Sequence, residues 1–280
     1  MQAGAQPSRL DSFTRKDIGD HYDQFAWAYS RYWGDHIHHG LFLNGEEDAQ
    51  RAQEMMVRHC AARAELRAGM RVADVGCGHG ITAAFLAREY SCHVLGLTIS
   101  RKQVKLAKKN CASLDGQVRF ELADAEAYAF APSSFDVVWN MESSEHFFEK
   151  AAYLRRAADA LKPGGKLMLA AWAGSMQNEL VRNIAQIFLC PELWTADEYV
   201  REIEAAGMKI VSREQLATEV ARTWEISAEQ VRNSRALLAV LPGAFREFAL
   251  GIDLIREGYR KGQFAYSILI ASKPVTAPVA

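Results

Sequence analysis

The chain has 280 residues, 49% hydrophobic, 10% aromatic and 24% charged, ordinary globular usage that excludes a disordered chain, a collagen-like repeat and a coiled coil. Lys and Arg total 33 against 34 Asp and Glu, a net charge of −1, so no electrostatic footprint points to nucleic acid or an anionic membrane. No apolar stretch reaches the ~20 residues of a bilayer span. Five scattered cysteines without a C-x-x-C pair argue for free thiols and a reducing cytoplasm. Met1 to Asp20 is polar, with no apolar region of a secretory signal.

In chain order, Thr14-x-x-Asp17 predicts a capped helix start. Ile18, Tyr22, Phe25, Tyr29 and Tyr32 then form a helical stripe too apolar for a plain surface helix, so this helix is expected to cover something. A second helix is expected from about Asp48 to Arg67. Met70–Val75, His93–Ile99, Val118–Leu122, Phe135–Trp139 and Lys166–Trp172 read as five strands, with helices near Ile81–Glu89, Arg101–Asn110 and Phe147–Leu161 between them. Thr195-x-x-Glu198 starts a helix ending at Gly207, before strands at Met208–Val211 and Phe264–Ala271. The alternation predicts an α/β fold with a seven-stranded, mostly parallel sheet covered by helices on both faces.

The length suggests about two domains at ~150 residues each. With no Pro/Gly/Ser linker in the interior, one elaborated domain is the better reading: N-terminal cap helices over 1–65, a core over 66–211 and 263–273, and a helical lid insertion over 212–262. Trp224, Leu237–Leu241 and Phe245-x-x-Phe248 give that insertion its apolar character, which suits a lid or ordinary core.

The strongest local signal is Asp74-Val-Gly76-Cys77-Gly78-His-Gly80, three glycines between a strand and a helix. Glycine is needed where backbone turns tightly and approaches a ligand without a Cβ in the way. The spacing is G-x-G-x-G, not the G-x-G-x-x-G of a dinucleotide site, and no G-K-[ST] follows. Cys77 is explained by packing as readily as by reactivity. His36, His38 and His39 are dense, but that spacing suits neither a helix face nor a strand face, and no Cys completes a set, so no metal is expected.

The glycine loop resembles the first motif of class I S-adenosylmethionine-dependent methyltransferases, a Rossmann-like fold, and further motifs follow in order. Asp124-Ala125 lies where the family places an acid near the adenine amino group; Phe135-Asp136-Val-Val and Leu161-Lys-Pro-Gly-Gly165 match the fourth strand and the turn before the fifth. One departure stands out. Thr98 occupies the position where most members carry a ribose-binding acid. Gly96-Leu-Thr98-Ile99-Ser-x-x-Gln103 instead resembles a subset containing tocopherol methyltransferases and cyclopropane fatty acid synthases, in which Thr and Gln take over sugar contacts. Without that spacing, Thr98 would read as a strand residue and Gln103 as a solvated helix residue.

Met141-Glu142-Ser-Ser-Glu145-His146 is similar to the S-M-E-S-x-E-H of γ-tocopherol methyltransferases, and Trp33-Gly-Asp-His-Ile-His-His-Gly40 to their W-G-D-H-x-H-H-G. Cys190-Pro-Glu-Leu-Trp194 with Tyr199, and Gly258-Tyr-Arg-Lys-Gly262, extend the resemblance over nearly the whole chain from Tyr22. It implies S-adenosylmethionine as cofactor, Tyr22 closing over it and Met141-Glu142 lining its methionine side. It implies a small, largely apolar methyl acceptor as partner, most simply a tocopherol-like or other prenylated or aromatic compound methylated on carbon, with Trp33, Glu145, Trp172 and Tyr199 as candidate contacts. His146 is the candidate base, with Glu142, Glu145 and His38 as neighbours; a helix-capping role for His146 stays open. Plant phytyl-quinol members carry a transit peptide and this chain shows none, which points to a bacterial chain and another substrate. N- or O-methylation of a natural product, Mg²⁺-supported C-methylation of a prenyl diphosphate, and a cofactor-binding scaffold without catalysis are the alternatives. A monomer or homodimer is expected.

Overall fold

The computed structural model describes residues 13–29, 33–34, 36–114, 116–234 and 243–275. The predicted Tyr32 and Leu237–Leu241 lie outside the described residues, as do the side chains of Phe245 and Phe248. One sheet organises the chain, with strands β1 (Arg71–Val75), β2 (His93–Thr98), β3 (Val118–Leu122), β4 (Phe135–Met141), β5 (Leu161–Ala173), β6 (Lys209–Gln215) and β7 (Ala265–Ser272). Their order is β3-β2-β1-β4-β5-β7-β6, and only β7 runs antiparallel to its neighbours.

The helices are α1 (Arg15–Ala28), α2 (Ala49–Arg63), α3 (Ile81–Tyr90), α4 (Arg101–Asn110), α5 (Lys150–Ala160), α6 (Glu179–Ile187), α7 (Ala196–Ala205), α8 (Ala217–Asn233) and α9 (Gly243–Arg260). Both anticipated capping boxes are present, Thr14 with Asp17 and Thr195 with Glu198. Alternate strand residues face opposite layers, as the two-residue strand period requires. Val72, Val94 and Val137 join the core under α2 and α3, whereas Ala73, Leu95 and Val138 join the core under α5 and α7. A third apolar cluster gathers Ile184 of α6, Trp224 of α8 and Ile255 of α9 beyond the end of β5.

Several boundaries differ from the expected ones. β5 starts at Leu161 instead of Lys166, because Leu161 pairs with Phe135 before Lys162–Gly165 loop out and pairing resumes at Val137–Lys166. β6 runs to Gln215, four residues past the predicted end at Val211, held by antiparallel pairing with β7 as far as Gln215–Ser267. The helical insertion therefore begins with α8 instead of at 212. Helix α6 was not anticipated; Asn178 caps it through the backbone N–H groups of Leu180 and Val181.

The topology places the site. After β1 the chain moves to β2 on one side, while β4 lies on the other, which opens a crevice at the carboxyl ends of β1 and β4. Gly80 begins α3 at this point, and a Cβ there would lie 2.8 Å from both Ala107 Cβ and Phe120 Cζ, at φ +77°. Gly80→Ala is expected to cost about 2 kcal/mol or more. A urea midpoint unchanged from the parent would show that this contact relaxes freely.

Candidate active site

The backbone N–H groups of Gly76 and Cys77 both donate to the Leu97 carbonyl at 2.9 Å, which folds the loop after β1 against β2. Gly76 sits at φ +77°, and a Cβ there would strike the Ser143 side chain. At Gly78, φ +52°, a Cβ would meet only Ile37 Cδ1 at 3.7 Å, so this residue presents bare backbone to a cleft. The cleft spans about 960 Å³ with the open solvent at its mouth counted in.

Eleven of the twelve predicted cofactor residues line that cleft: Tyr22, Asp74, Gly76, Cys77, Gly78, Thr98, Ile99, Gln103, Asp124, Ala125 and Met141. Gly80 does not line it and serves packing. Asp74 at the end of β1 is buried, its Oδ2 has no hydrogen-bond partner, and burial raises its pKa to about 7. Thr98 Oγ1 donates to Gln103 Oε1 at 2.6 Å, so the two predicted sugar contacts hold one another. Asp124 accepts from the Glu126 N–H at 2.9 Å and lies 3.0 Å from Arg15 Nε. His38, a candidate catalytic residue, faces this cleft and not the second cavity described below. Its Nδ1 donates to the His39 carbonyl at 2.8 Å, leaving Nε2 as a buried, unpartnered acceptor. A nucleoside with an ammonium group fits these donors and acceptors: a carboxylate beyond β3, a Thr–Gln pair beyond β2, and two orphaned acceptors beside a bare glycine loop.

Two elements close the cleft. α1 contributes Arg15, Ile18 and Tyr22 to its lining, and Asp23 ties α1 to α4 by accepting from Ser100 Oγ and from the Lys102 N–H at 2.9 Å. The 33–39 segment, which carries His36 and His38, is pinned from below by Gln53 of α2. Its Nε2 reaches the carbonyls of Trp33, His36 and His38 at 3.1, 2.8 and 3.1 Å. Sequence reasoning missed Arg15 and Gln53, and weighed His36 for metal, substrate contact or helix capping, not for the cleft that it lines. A signal for Gln53 existed, a lone polar residue on the face shared with Met56, Val57, Cys60 and Ala61.

A second cavity, about 460 Å³ with open solvent counted in, adjoins the cleft, and Tyr22, Ile37, Glu142 and His146 line both. Its walls are otherwise Tyr29, Trp33, Trp172, Phe188 and Trp224, with Glu145 the remaining polar residue. Of the predicted substrate contacts, Trp33, Glu145 and Trp172 are here. Tyr199 lines neither cavity; it is buried under the sheet and shares a 2.9 Å hydrogen bond with Ser144 Oγ. Tyr29, Phe188 and Trp224 were not among the predicted contacts, although Trp224 was noted for the lid.

The segment leaving β4 sets the chemistry. Glu142 adopts φ +53°, a left-handed conformation that costs a non-glycine residue on the order of 1 kcal/mol. Four hydrogen bonds hold it there. Oε1 accepts from the His39 N–H at 2.7 Å and Tyr266 OH at 2.8 Å; Oε2 accepts from His39 Nδ1 and Trp172 Nε1, both at 2.9 Å. That fills a carboxylate's acceptor capacity. Burial pushes Glu142 upward, but His39 and the Trp172 N–H outweigh it and bring its pKa to about 2.

Glu145 is the opposite case. One oxygen accepts from the Trp172 backbone N–H at 2.7 Å, while Oε2 is buried without a partner. Burial, with the charge of Glu142, raises its pKa to about 8. His146 Nδ1 faces the Leu189 carbonyl at 3.0 Å and must donate, so Nε2 carries the lone pair and accepts from Tyr22 OH at 2.8 Å. Burial lowers His146 to about 4, so the ring is neutral at pH 7. Among the described residues no group of three or more His, Cys, Asp and Glu is placed to hold a metal, and no helix is long and apolar enough to cross a membrane.

Known proteins resemble this chain in sequence and in fold. Tocopherol O-methyltransferase of Arabidopsis thaliana, described as chloroplastic, is 28% identical over 93% of this chain and 83% of its own. The 27-O-demethylrifamycin SV methyltransferase of Amycolatopsis mediterranei is 32% identical over 93% of this chain and 98% of its own. The cyclopropane synthase MmaA2 from Mycobacterium tuberculosis superposes with a TM-score of 0.82 at 20% identity, over 93% of this chain and 99% of that one. The family described as mycolic acid cyclopropane synthetase matches residues 11–248. The chain belongs to that family and is a class I enzyme that uses S-adenosylmethionine to transfer methyl groups.

Proposed function

We propose that this enzyme methylates a small, largely apolar acceptor carrying a ring hydroxyl, of the tocopherol or prenylated quinol type, and that the aromatic cavity is where the acceptor binds. The observation that carries this reading is a cavity of aromatic walls with one unpartnered polar atom, Glu145 Oε2, opening onto the cofactor cleft at Tyr22 and His146. Aromatic rings bind a flat apolar body through area and edge-to-face contact, and a lone buried carboxyl oxygen selects one hydrogen-bond donor on it.

The bound cofactor supplies a methyl group already activated on a positive sulfur. What remains for the chain is to align the acceptor, exclude water and take a proton. Glu145 suits the last task better than His146. Glu145 lines the cavity and keeps one oxygen without a hydrogen-bond partner, whereas the His146 lone pair is capped by Tyr22 OH and Glu142 has no free acceptor position. In its carboxylate form Glu145 accepts the hydroxyl proton, and the electron density released reaches the ortho ring carbon. That carbon would take the methyl group from the cofactor, which would leave as the neutral thioether; the ring proton passes to solvent, and the ring oxygen recovers its proton from Glu145, which restores both the aromatic ring and the carboxylate. Tyr22, held by His146, closes the passage between cleft and cavity.

Transfer to the oxygen itself is the second reading, favoured by the same contact because the deprotonated oxygen is a nucleophile in its own right. A diphosphate-bearing acceptor fits poorly: among the described residues no Lys or Arg lines the cavity, and Glu142 and Glu145 are its acidic side chains. Incubation with S-adenosylmethionine and a panel of prenylated quinols, followed by mass spectrometry, tests the proposal. A methyl on a ring carbon is expected; a methoxy product would establish the second reading, and no methylated product from any quinol would contradict both.

A further inference from the structure

The hydrogen bonds around Glu142 do more than fill its lone pairs. Trp172 and Trp224 face one another across the cavity wall, ring centroids 5.7 Å apart at 86°, and Trp33 meets Trp224 at 4.9 Å and 72°. An indole has one polar atom, its N–H, which is a donor only. In Trp172 that N–H goes to Glu142 Oε2 at 2.9 Å, and in Trp224 it goes to His39 Nε2 at 2.6 Å. Accepting from Trp224 leaves His39 Nε2 as the lone-pair nitrogen, so His39 Nδ1 is the donor to Glu142. Trp224, His39, Glu142 and Trp172 thus form one continuous buried chain of hydrogen bonds. It joins α8, the 36–40 segment, the end of β4 and the end of β5, and Tyr266 OH adds β7. Beside it, Gly40 N–H donates to Thr223 Oγ1 at 3.0 Å and Phe42 N–H to the Glu219 carbonyl at 2.9 Å, docking α8 on the same segment.

We propose that His39 and Glu142 are a positioning pair that fixes the Trp172 and Trp224 rings with their N–H groups tied off, so that among the described lining residues Glu145 Oε2 is the polar atom left without a partner. The selectivity of the cavity then comes from what the pair removes. Neither indole can donate to an acceptor molecule, which disfavours ligands rich in carbonyl or carboxylate oxygens and favours flat apolar ones with one donor. This inference rests on the acceptor role proposed for the cavity, but the pairing itself is testable without any acceptor.

The test uses the full-length protein labelled with ¹⁵N-tryptophan and saturated with S-adenosylhomocysteine. The two indole N–H signals are assigned with Trp172→Phe and Trp224→Phe. In His39→Ala, the Trp224 N–H is expected to exchange with solvent at least tenfold faster, with affinity for S-adenosylhomocysteine within about twofold of the parent. His39→Gln, which can donate and accept, is expected to restore much of that protection. Glu142→Leu, which leaves no acceptor at that position, supplies an independent variant should His39→Ala fail to fold, and there the Trp172 N–H is expected to exchange at least tenfold faster. Unchanged exchange in either folded variant overturns the pairing. With a quinol that is turned over, His39→Ala should raise the acceptor KM at least tenfold while kcat changes less than about threefold. The reverse split overturns the positioning role and leaves the methyl-transfer reading standing.

Discussion

Gly78→Val is expected to abolish binding of S-adenosylmethionine and S-adenosylhomocysteine, a loss of at least a hundredfold in affinity, while the protein stays folded. Two effects add. At φ +52° a β-branched residue is strained, and its side chain would project into the cleft where nothing but Ile37 stands within 4 Å. Because that space is open, the valine meets little protein and chiefly obstructs the ligand. Gly76 gives the contrasting case, since a side chain there collides with Ser143 and would damage the fold itself. Calorimetry with S-adenosylhomocysteine, paired with circular dichroism, separates the two. Parent-like affinity in folded Gly78→Val would remove the glycine loop from the binding site.

Glu145→Gln is expected to lower kcat on a quinol by two to three orders of magnitude, the usual worth of a general base, with cofactor affinity little changed. His146→Ala should have the smaller effect on kcat, because its lone pair is engaged by Tyr22. The pH profile distinguishes the candidates. With a Glu145 pKa of about 8, the carboxylate forms only as pH rises through that value, so turnover should climb through about pH 8 and then level. Were His146 the base, the break would fall near its value of about 4.

Stability carries the same signature. A carboxyl raised in the folded state from 4.5 to about 8 imposes no penalty below the lower value, and stability falls progressively as pH rises through the folded one. Without ligand, Glu145→Gln should therefore be more stable than the parent at pH 9 and nearly equal at pH 5. Urea midpoints at the two pH values check this, and a variant destabilised equally at both would show that burial costs Glu145 little.

What could be read from the chain beforehand followed from local physical constraints. The glycine loop was legible because only glycine serves where backbone approaches a ligand. The two capping boxes were legible because the side-chain and backbone partners lie three residues apart. Long-range partners left no such trace. Glu142 and Glu145 stand three residues apart in one motif, and both could be read as acids beside a base. Their opposite states are set by His39, Trp172 and Tyr266 on one carboxylate and by the lack of a partner on the other. Resemblance placed Tyr199 near the site by position, but not the direction of its ring, which points into the core under α5 and α7. The outer pairing was hidden for a related reason. β7 runs antiparallel between β5 and β6, and the chain reaches it only after α8 and α9, so no short turn marks the pairing. The alternation of exposed and half-buried residues along β6 is too weak to show its true end.

The division of labour between cleft and cavity is the central claim, and titration of S-adenosylhomocysteine into three proteins by calorimetry tests it most directly. The parent should bind one equivalent, Glu145→Gln should bind with affinity within about threefold of the parent, and Gly78→Val should show no heat of binding. If Glu145→Gln lost binding as completely as Gly78→Val, or if the parent itself did not bind, the two cavities would not hold the two roles assigned to them.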